Sequence, residues 1–456
     1  MAFRKIRRHA YAARMEPGPS LPTEPVPAQA AIPRQVSGPL PESDTVSGLT
    51  DDAAGESGEQ PFAIPNIPLI RSRAAGEQRA TFFELFFDLV YVFAVTQLSH
   101  YLLADLSWPG AARATFMLVV IYWAWNYTTW MANWFDPRTV TVRLVLVFVM
   151  MASLLMAIAV PDAFGGRGLL FAASYVTLQV VRNVFVVVVC PTGRFRRNFG
   201  QILAWSLLTA PPWIVGAFVD GNARWGLWGA ALLIDLTAPL VLYWLPGLGS
   251  TPTSQWQVEG NHFAERFQLF VIIALGESIV LAGATASESR LTVTVAVALG
   301  VAFLLSTALW WLYFGQVSEV VAARIGHSAP TEAGKLGRDV YTYLHLPIIA
   351  GIVLAAVGLE LVIAHPEEPI GLSGALVAFG GPALFLAGLA TCCARVGRRH
   401  AWWPVGVAGA LLAAAPLLTS LDRLAAMGIL TAVLITSAAV EQSRDDAPTQ
   451  TGDVEV

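Results

Sequence analysis

The chain has 456 residues, of which 55% are hydrophobic and only 13% charged, with 28 lysines and arginines against 32 aspartates and glutamates and a mean hydropathy of +0.58. A soluble domain carries about a quarter charged residues, so the bulk of this chain belongs in lipid, and a net charge of −4 excludes a nucleic-acid binder. Three cysteines, Cys190, Cys392 and Cys393, all in or beside apolar runs, exclude a disulfide scaffold and read as small core residues.

Residues 1–80 contain eleven prolines, mixed charge and no apolar run long enough to cross a bilayer, which predicts a disordered tail. Its basic start (Arg4, Lys5, Arg7, Arg8) has no apolar stretch behind it and is therefore not a secretory signal. It reads as an ordinary cytoplasmic tail in preference to a patch resting on anionic lipid.

From Thr81 to Val440 the sequence divides into apolar segments of about 18 to 24 residues, each able to cross about 30 Å of hydrocarbon as a helix. Twelve spans are expected, over 82–103, 113–133, 140–160, 169–190, 200–219, 225–245, 263–284, 291–314, 343–363, 371–393, 401–419 and 422–440. Breakers such as Asp136-Pro137, Gly165-Gly166 and Pro191-Thr192-Gly193 punctuate them. The fold class is thus all-α, a polytopic transmembrane bundle. With a cytoplasmic N-terminus, fourteen loop lysines and arginines fall inside (71, 73, 79, 138, 194, 196, 197, 324, 335, 338, 395, 398, 399, 444) and five outside (113, 167, 224, 290, 423). That asymmetry follows the positive-inside rule and puts both termini in the cytoplasm.

Laying the first span over the seventh matches Glu84, Phe86 and Val90 with Glu265, Phe267 and Val271. Trp125 and Tyr127 match Trp311 and Tyr313, and Arg138 matches Arg338. The expected organisation is a tail (1–80), a six-helix half (81–245), a second six-helix half (246–440) and an acidic tail (441–456). Six is even, so the halves would enter the membrane in the same direction, as parallel repeats.

Charges inside hydrocarbon cost about 2.5–3.5 kcal/mol each and mark candidate functional positions. Glu84, Glu265, Arg143 and His345 sit within a turn or two of the cytoplasmic end, and Glu360 near the opposite end. Arg182, Asp235 and Glu277 fall near the middle. Glu84, Asp88, Tyr91 and Ser99 form one polar stripe, which must face the bundle interior. Two readings stand: carboxylates lining a proton or cation pathway, or ion pairs to Arg143, Arg182 or Arg266 that lock helices together. Glu277 follows Gly276 and is a candidate proton carrier or a partner of Arg182. Gly276 and Gly283 are expected to admit a close neighbouring helix. Trp108, Trp123, Trp130, Trp134, Trp225, Trp256, Trp402 and Trp403 read as an interfacial belt. No nucleotide-binding loop, zinc-protease motif or nucleophile elbow occurs, and the histidines lack ligand spacing, so no enzymatic reaction, metal or cofactor is expected.

Three stretches carry a resemblance: FFELFFDLVYVFAVTQLSHYL at 82–102, HFAERFQLFVIIALGESIV at 262–280 and YTYLHLPIIAGIVLAAVGLE at 341–360. They resemble the low temperature requirement protein A family of bacterial membrane proteins over about 80–440. The resemblance implies a polytopic inner-membrane protein and brings no mechanism with it. More loosely, Arg79, Phe83 and Asp88 resemble the first helix of duplicated six-helix potassium channels of lysosomes and bacteria, but Phe86-Phe87-Asp88 stands where those carry Phe-Ser-Asp. The expected function is a proton- or cation-coupled transporter of a small solute, with a cation channel or a non-transporting scaffold as alternatives.

Overall fold

The computed structural model describes residues 69–71, 79–190, 193–253, 256, 260–315, 317–398 and 402–445; nearly all of the expected tails, together with Arg73, Arg399 and His400, lies outside them. The described residues form α-helices in the order α1 (Phe82–Ala104), α2 (Trp108–Trp134), α3 (Val140–Ala159), α4 (Gly168–Val189), α5 (Arg194–Gly216), α6 (Gly221–Thr237) and α7 (Gly260–Glu288). The order continues with α8 (Val293–Phe314), α9 (Ser318–Gly326), α10 (Pro330–Leu336), α11 (His345–Ala364), α12 (Gly371–Arg395), α13 (Trp403–Ala414) and α14 (Arg423–Asp445). A π-helical stretch, Gly337–Leu344, leads into α11, and among the described residues β-structure is limited to isolated bridges.

Each of the twelve expected segments coincides with a helix, α1–α8 and α11–α14; α9, α10 and the π-helical stretch occupy what was expected to be loop. Eight helical stretches are long and apolar enough to cross a membrane: Phe82–Ala104, Val140–Asp162, Gly168–Val189, Gly260–Glu288, Val293–Gly326, Thr331–Ala364, Gly371–Arg395 and Arg423–Ser443. The other four expected spans fall short of that measure. α2 is rich in tryptophan, asparagine and threonine, α5 opens on Arg194, Arg196 and Arg197, and α6 and α13 have 17 and 12 residues. α6 stops at Thr237, well before residue 245. Pro239 cannot donate to a continuing helix, and Leu242 and Tyr243 take positive φ of 55° and 52°.

α1 packs on α2 and α3, α3 on α4, α4 on α5 and α5 on α6; α7 packs likewise on α8 and α11, α11 on α12 and α12 on α13. α1 and α7 run side by side in the same direction. Glu84 meets His262 and, one turn on, Asp88 meets Arg266.

The close helix approach lies elsewhere than expected. A Cβ on Gly276 or Gly283 would meet nothing within 4 Å, whereas one on Gly381 would come within 2.5 Å of the Ala355 backbone nitrogen and one on Gly351 within 2.5 Å of that of Phe385. The small-residue contact is therefore between α11 and α12, where backbones touch. The tryptophan belt also needs correction. Trp108 and Trp402 are exposed, but Trp123, Trp134 and Trp256 are buried, as are Trp125, Trp213 and Trp228. They pack ring against ring in the core, because a large apolar indole buries as well in an interior as at an interface, and Trp125, Trp213 and Trp228 also find acceptors for their N–H. The three cysteines are free and buried.

Gly381→Val should therefore separate α11 from α12 and markedly lower the thermal unfolding temperature in detergent. Gly283→Ala should leave that temperature unchanged or raise it, in line with a helix-propensity gain of about 0.8–1 kcal/mol.

Candidate functional site

The three stretches singled out in the sequence come together: α1, α7 and the π-helical entry to α11 with α11 itself are mutual neighbours. Their polar groups form two layers along the α1–α7 axis.

The first layer sits at the helix starts. Thr81 caps α1 in a capping box, its Oγ1 accepting from the Glu84 N–H (3.3 Å) while Glu84 Oε2 accepts from the Thr81 N–H (2.8 Å). The other carboxylate oxygen, Oε1, takes Arg71 Nη2 at 2.7 Å and meets His262 Nε2 at 2.9 Å. Arg71 is delivered by a short strap. Its N–H donates to Trp134 O, and Leu69 O accepts from the Asp136 N–H, both at 2.9 Å. Arg71 was assigned to the disordered tail; those bonds order it. One turn deeper, Asp88 Oδ1 accepts from Arg266 Nη2 (2.7 Å) and Trp125 Nε1 (2.8 Å), while Asp88 Oδ2 and Arg266 Nε and Nη1 have no partner. Glu265 accepts from the Ala80 N–H at 2.6 Å. Of the three arginines expected to pair with the stripe, only Arg266 does. Arg143 donates to Pro137 O and lies over the Phe83 ring.

Above this layer the axis is aromatic. Trp125 stacks on Phe270 (4.1 Å) and meets Phe267 edge-on (4.8 Å), and Phe267 packs on Tyr341 (4.7 Å). His345 belongs to this block: its Nε2 and Nδ1 are engaged by Tyr313 Oη and Val340 O, both at 3.0 Å. Tyr91 bonds to Ser153 (2.8 Å).

The second layer begins at Glu277, about 18 Å beyond Glu265 at 1.5 Å per residue. Glu277 is 2% exposed, lies near Thr96 and His100 of α1 and keeps Oε1 without a partner. Glu360 of α11 comes close enough for His100, Glu277 and Glu288 to be its electrostatic neighbours, and its buried Oε2 is likewise unpartnered.

The two remaining candidates lie apart from this axis, in the first six helices. Asp235 Oδ2 accepts from Tyr175 Oη (3.0 Å) and Trp213 Nε1 (3.3 Å). Arg182 donates to Thr128 Oγ1 (3.2 Å) and to Gln179 Oε1, and its guanidinium lies 5.1 Å from the centre of the Tyr127 ring. Thus Arg182, Asp235 and Glu277 do not share one cavity, and Arg182 pairs with no carboxylate among the described residues. No group of three or more His, Cys, Asp or Glu side chains among those residues is arranged to hold a metal ion.

The family model for the bacterial low temperature requirement A protein (LtrA) matches residues 79–439, from just ahead of α1 to within α14. The chain belongs to the LtrA family. An uncharacterized protein of Rhizobium meliloti (strain 1021) is 38% identical over 326 residues, covering 70% of this chain and 78% of that protein. No solved structure matches significantly.

In this LtrA-family chain the sequence reading overlooked His262, which Glu84 engages. The signal was present: His262 and Arg266 are four apart on α7, matching the spacing of Glu84 and Asp88 on α1 with groups able to pair with carboxylates. The capping box over Thr81–Glu84 was equally readable.

Removing one member of a buried pair costs about 3–5 kcal/mol, whereas replacing both with apolar groups is near neutral. Asp88→Leu should therefore destabilise the protein strongly in detergent, and adding Arg266→Met should recover most of the loss; thermal unfolding of the single and double variants checks it.

Proposed function

We propose that this protein is a secondary transporter coupling a proton or cation to the movement of a small solute, without enzymatic activity. In this reading it has twelve spans arranged as two parallel six-helix halves. The recurring neighbour order of the helices and the common direction of α1 and α7 support the repeat. The loop charges support an inner-membrane location with both termini in the cytoplasm. A phosphatase fused to the C-terminus should then be inactive in cells and a fluorescent protein there bright.

Glu277 carries the reading. A buried carboxylate with an unpartnered oxygen, near His100 and near Glu360 with its own unpartnered oxygen, suits reversible protonation better than structural pairing. The aromatic block around Trp125, Phe267 and Phe270 lies between it and the ion-paired layer, as a barrier in an alternating-access cycle would.

The scaffold reading also has support: Glu84 and Asp88 are both held by cations, so that layer acts as a lock between halves. Proteoliposomes loaded with a pH dye separate the readings. Glu277→Gln should cut proton flux about 10²-fold, the size of effect expected for losing a proton-transferring group, with the protein still folded. Flux no greater than in empty liposomes leaves the scaffold, and unitary currents in planar bilayers would assign a channel.

A further inference from the structure

Arg182 raises a question that the α1–α7 axis does not answer. It is 1% exposed, and a guanidinium cannot shed its charge in a protein interior. Isolated buried charges are costly and persist where a partner of opposite sign completes them. Among the described residues its hydrogen bonds go only to a hydroxyl and an amide, Thr128 and Gln179. The path to Asp235 runs through two neutral groups, Gln179 Nε2 to Tyr175 Oη (3.1 Å) and Tyr175 Oη to Asp235 Oδ2 (3.0 Å).

Arg182 lines a narrow cavity that opens in part to its surroundings. No aspartate or glutamate is among its described lining residues, and the second cation there, Arg338, pairs with Asp339 at 2.7 Å, an acid that Arg395 also contacts at 2.9 Å. Among the described residues, then, no carboxylate contacts Arg182 in this cavity, and Asp235 acts on it only at longer range. Its walls are aromatic. Trp130 and Trp256 meet edge to face at 5.8 Å, Tyr243 leans on Trp256 at 5.8 Å, and Tyr127 is held to Tyr243 by a 2.8 Å bond between hydroxyls.

A second, independent observation points to a ligand. Asn126 is fully buried and spends its Oδ1 on Thr342 (3.3 Å) while its Nδ2 has no partner, and Trp256, 5% exposed, has an unpartnered Nε1. Both line this cavity. Two orphaned N–H donors and an unpaired guanidinium around one apolar slot are what an oxyanion with a flat apolar body would satisfy.

We propose that this cavity, bounded by α2, α4, α5 and the segment after α6, binds a small organic anion, its carboxylate-like group on Arg182, Asn126 and Trp256 and its planar body against Trp130, Tyr127 and Tyr243. The site stands independently of the transport reading, because binding is measured without flux.

Benzoate serves as the probe, added to the purified full-length protein in detergent and followed by equilibrium dialysis against empty micelles and by quenching of tryptophan emission. Benzoate is expected to bind saturably, and acetate, which lacks the ring, and benzyl alcohol, which lacks the charge, at least about tenfold more weakly. Arg182→Gln should weaken benzoate at least about tenfold and Asn126→Ala by about threefold, while Trp402→Phe, on the exposed surface, leaves it unchanged. If Arg182→Gln does not purify as a monodisperse protein, Asn126→Ala and Trp256→Phe carry the test. Equal binding of benzoate and benzyl alcohol, unchanged binding in folded cavity variants, or no saturable benzoate signal overturns the proposal. Competition by phosphatidylglycerol without benzoate saturation overturns it in favour of a lipid headgroup.

Discussion

The structure turns on a pair of parallel polar contacts, one of them an ion pair, between helices almost two hundred residues apart. Glu84 with His262 and Asp88 with Arg266 are both 178 positions apart in sequence and one turn apart in space, so they fix direction and register of α1 against α7 together. In a bilayer the apolar faces of two helices give little reason to prefer each other over lipid. Charges that cannot be solvated there do give a reason, since each can be satisfied only by its partner. α2 joins the lock through Trp125, and the strap at residues 69–71 joins it through Arg71.

That lock constrains where chemistry can occur. With Glu84 and Asp88 tied to cations, the carboxylates still holding unpartnered oxygens in a less crowded setting are those of Glu277 and Glu360, on the far side of an aromatic block. The same stacking takes several tryptophans away from the lipid interface and makes the centre stiff, since rings packed edge to face leave few alternative arrangements. The first six helices carry a different polar set, from Arg182 through Gln179 and Tyr175 to Asp235, with the aromatic cavity on one side of it. Residues that align between the first and seventh spans' halves do unlike work: Trp125 is buried on Asp88, whereas Trp311 is half exposed and donates to Gln442.

Legibility in the sequence differed by the kind of information required. The helices were readable because a hydrocarbon environment forces every backbone group into internal hydrogen bonds, so an apolar run of the right length has one outcome. Errors arose where a local signal competed with that rule, as at Pro239, which ends α6 early. The polar stripe on α1 was readable from a period of 3.6 residues; its partners were not. Arg143, Arg182 and Arg266 were equivalent on paper, and only the third dimension separated them. Gly276 and Gly351 are alike as letters, yet one faces open space and the other a backbone nitrogen.

By itself, then, the sequence determined an all-helical membrane protein, the family to which it belongs, the approximate bounds of its helices and the set of residues too polar to face lipid. Each of these follows from local composition, because the bilayer acts on every segment in the same way. Tertiary structure alone decided which polar groups are spent on one another: Asp88 on Arg266, Glu84 on Arg71 and His262, and Arg182, among the described residues, on no acid. Pairing depends on distances of about 3 Å between atoms on different helices, and nothing in the order of residues along one chain encodes that distance directly.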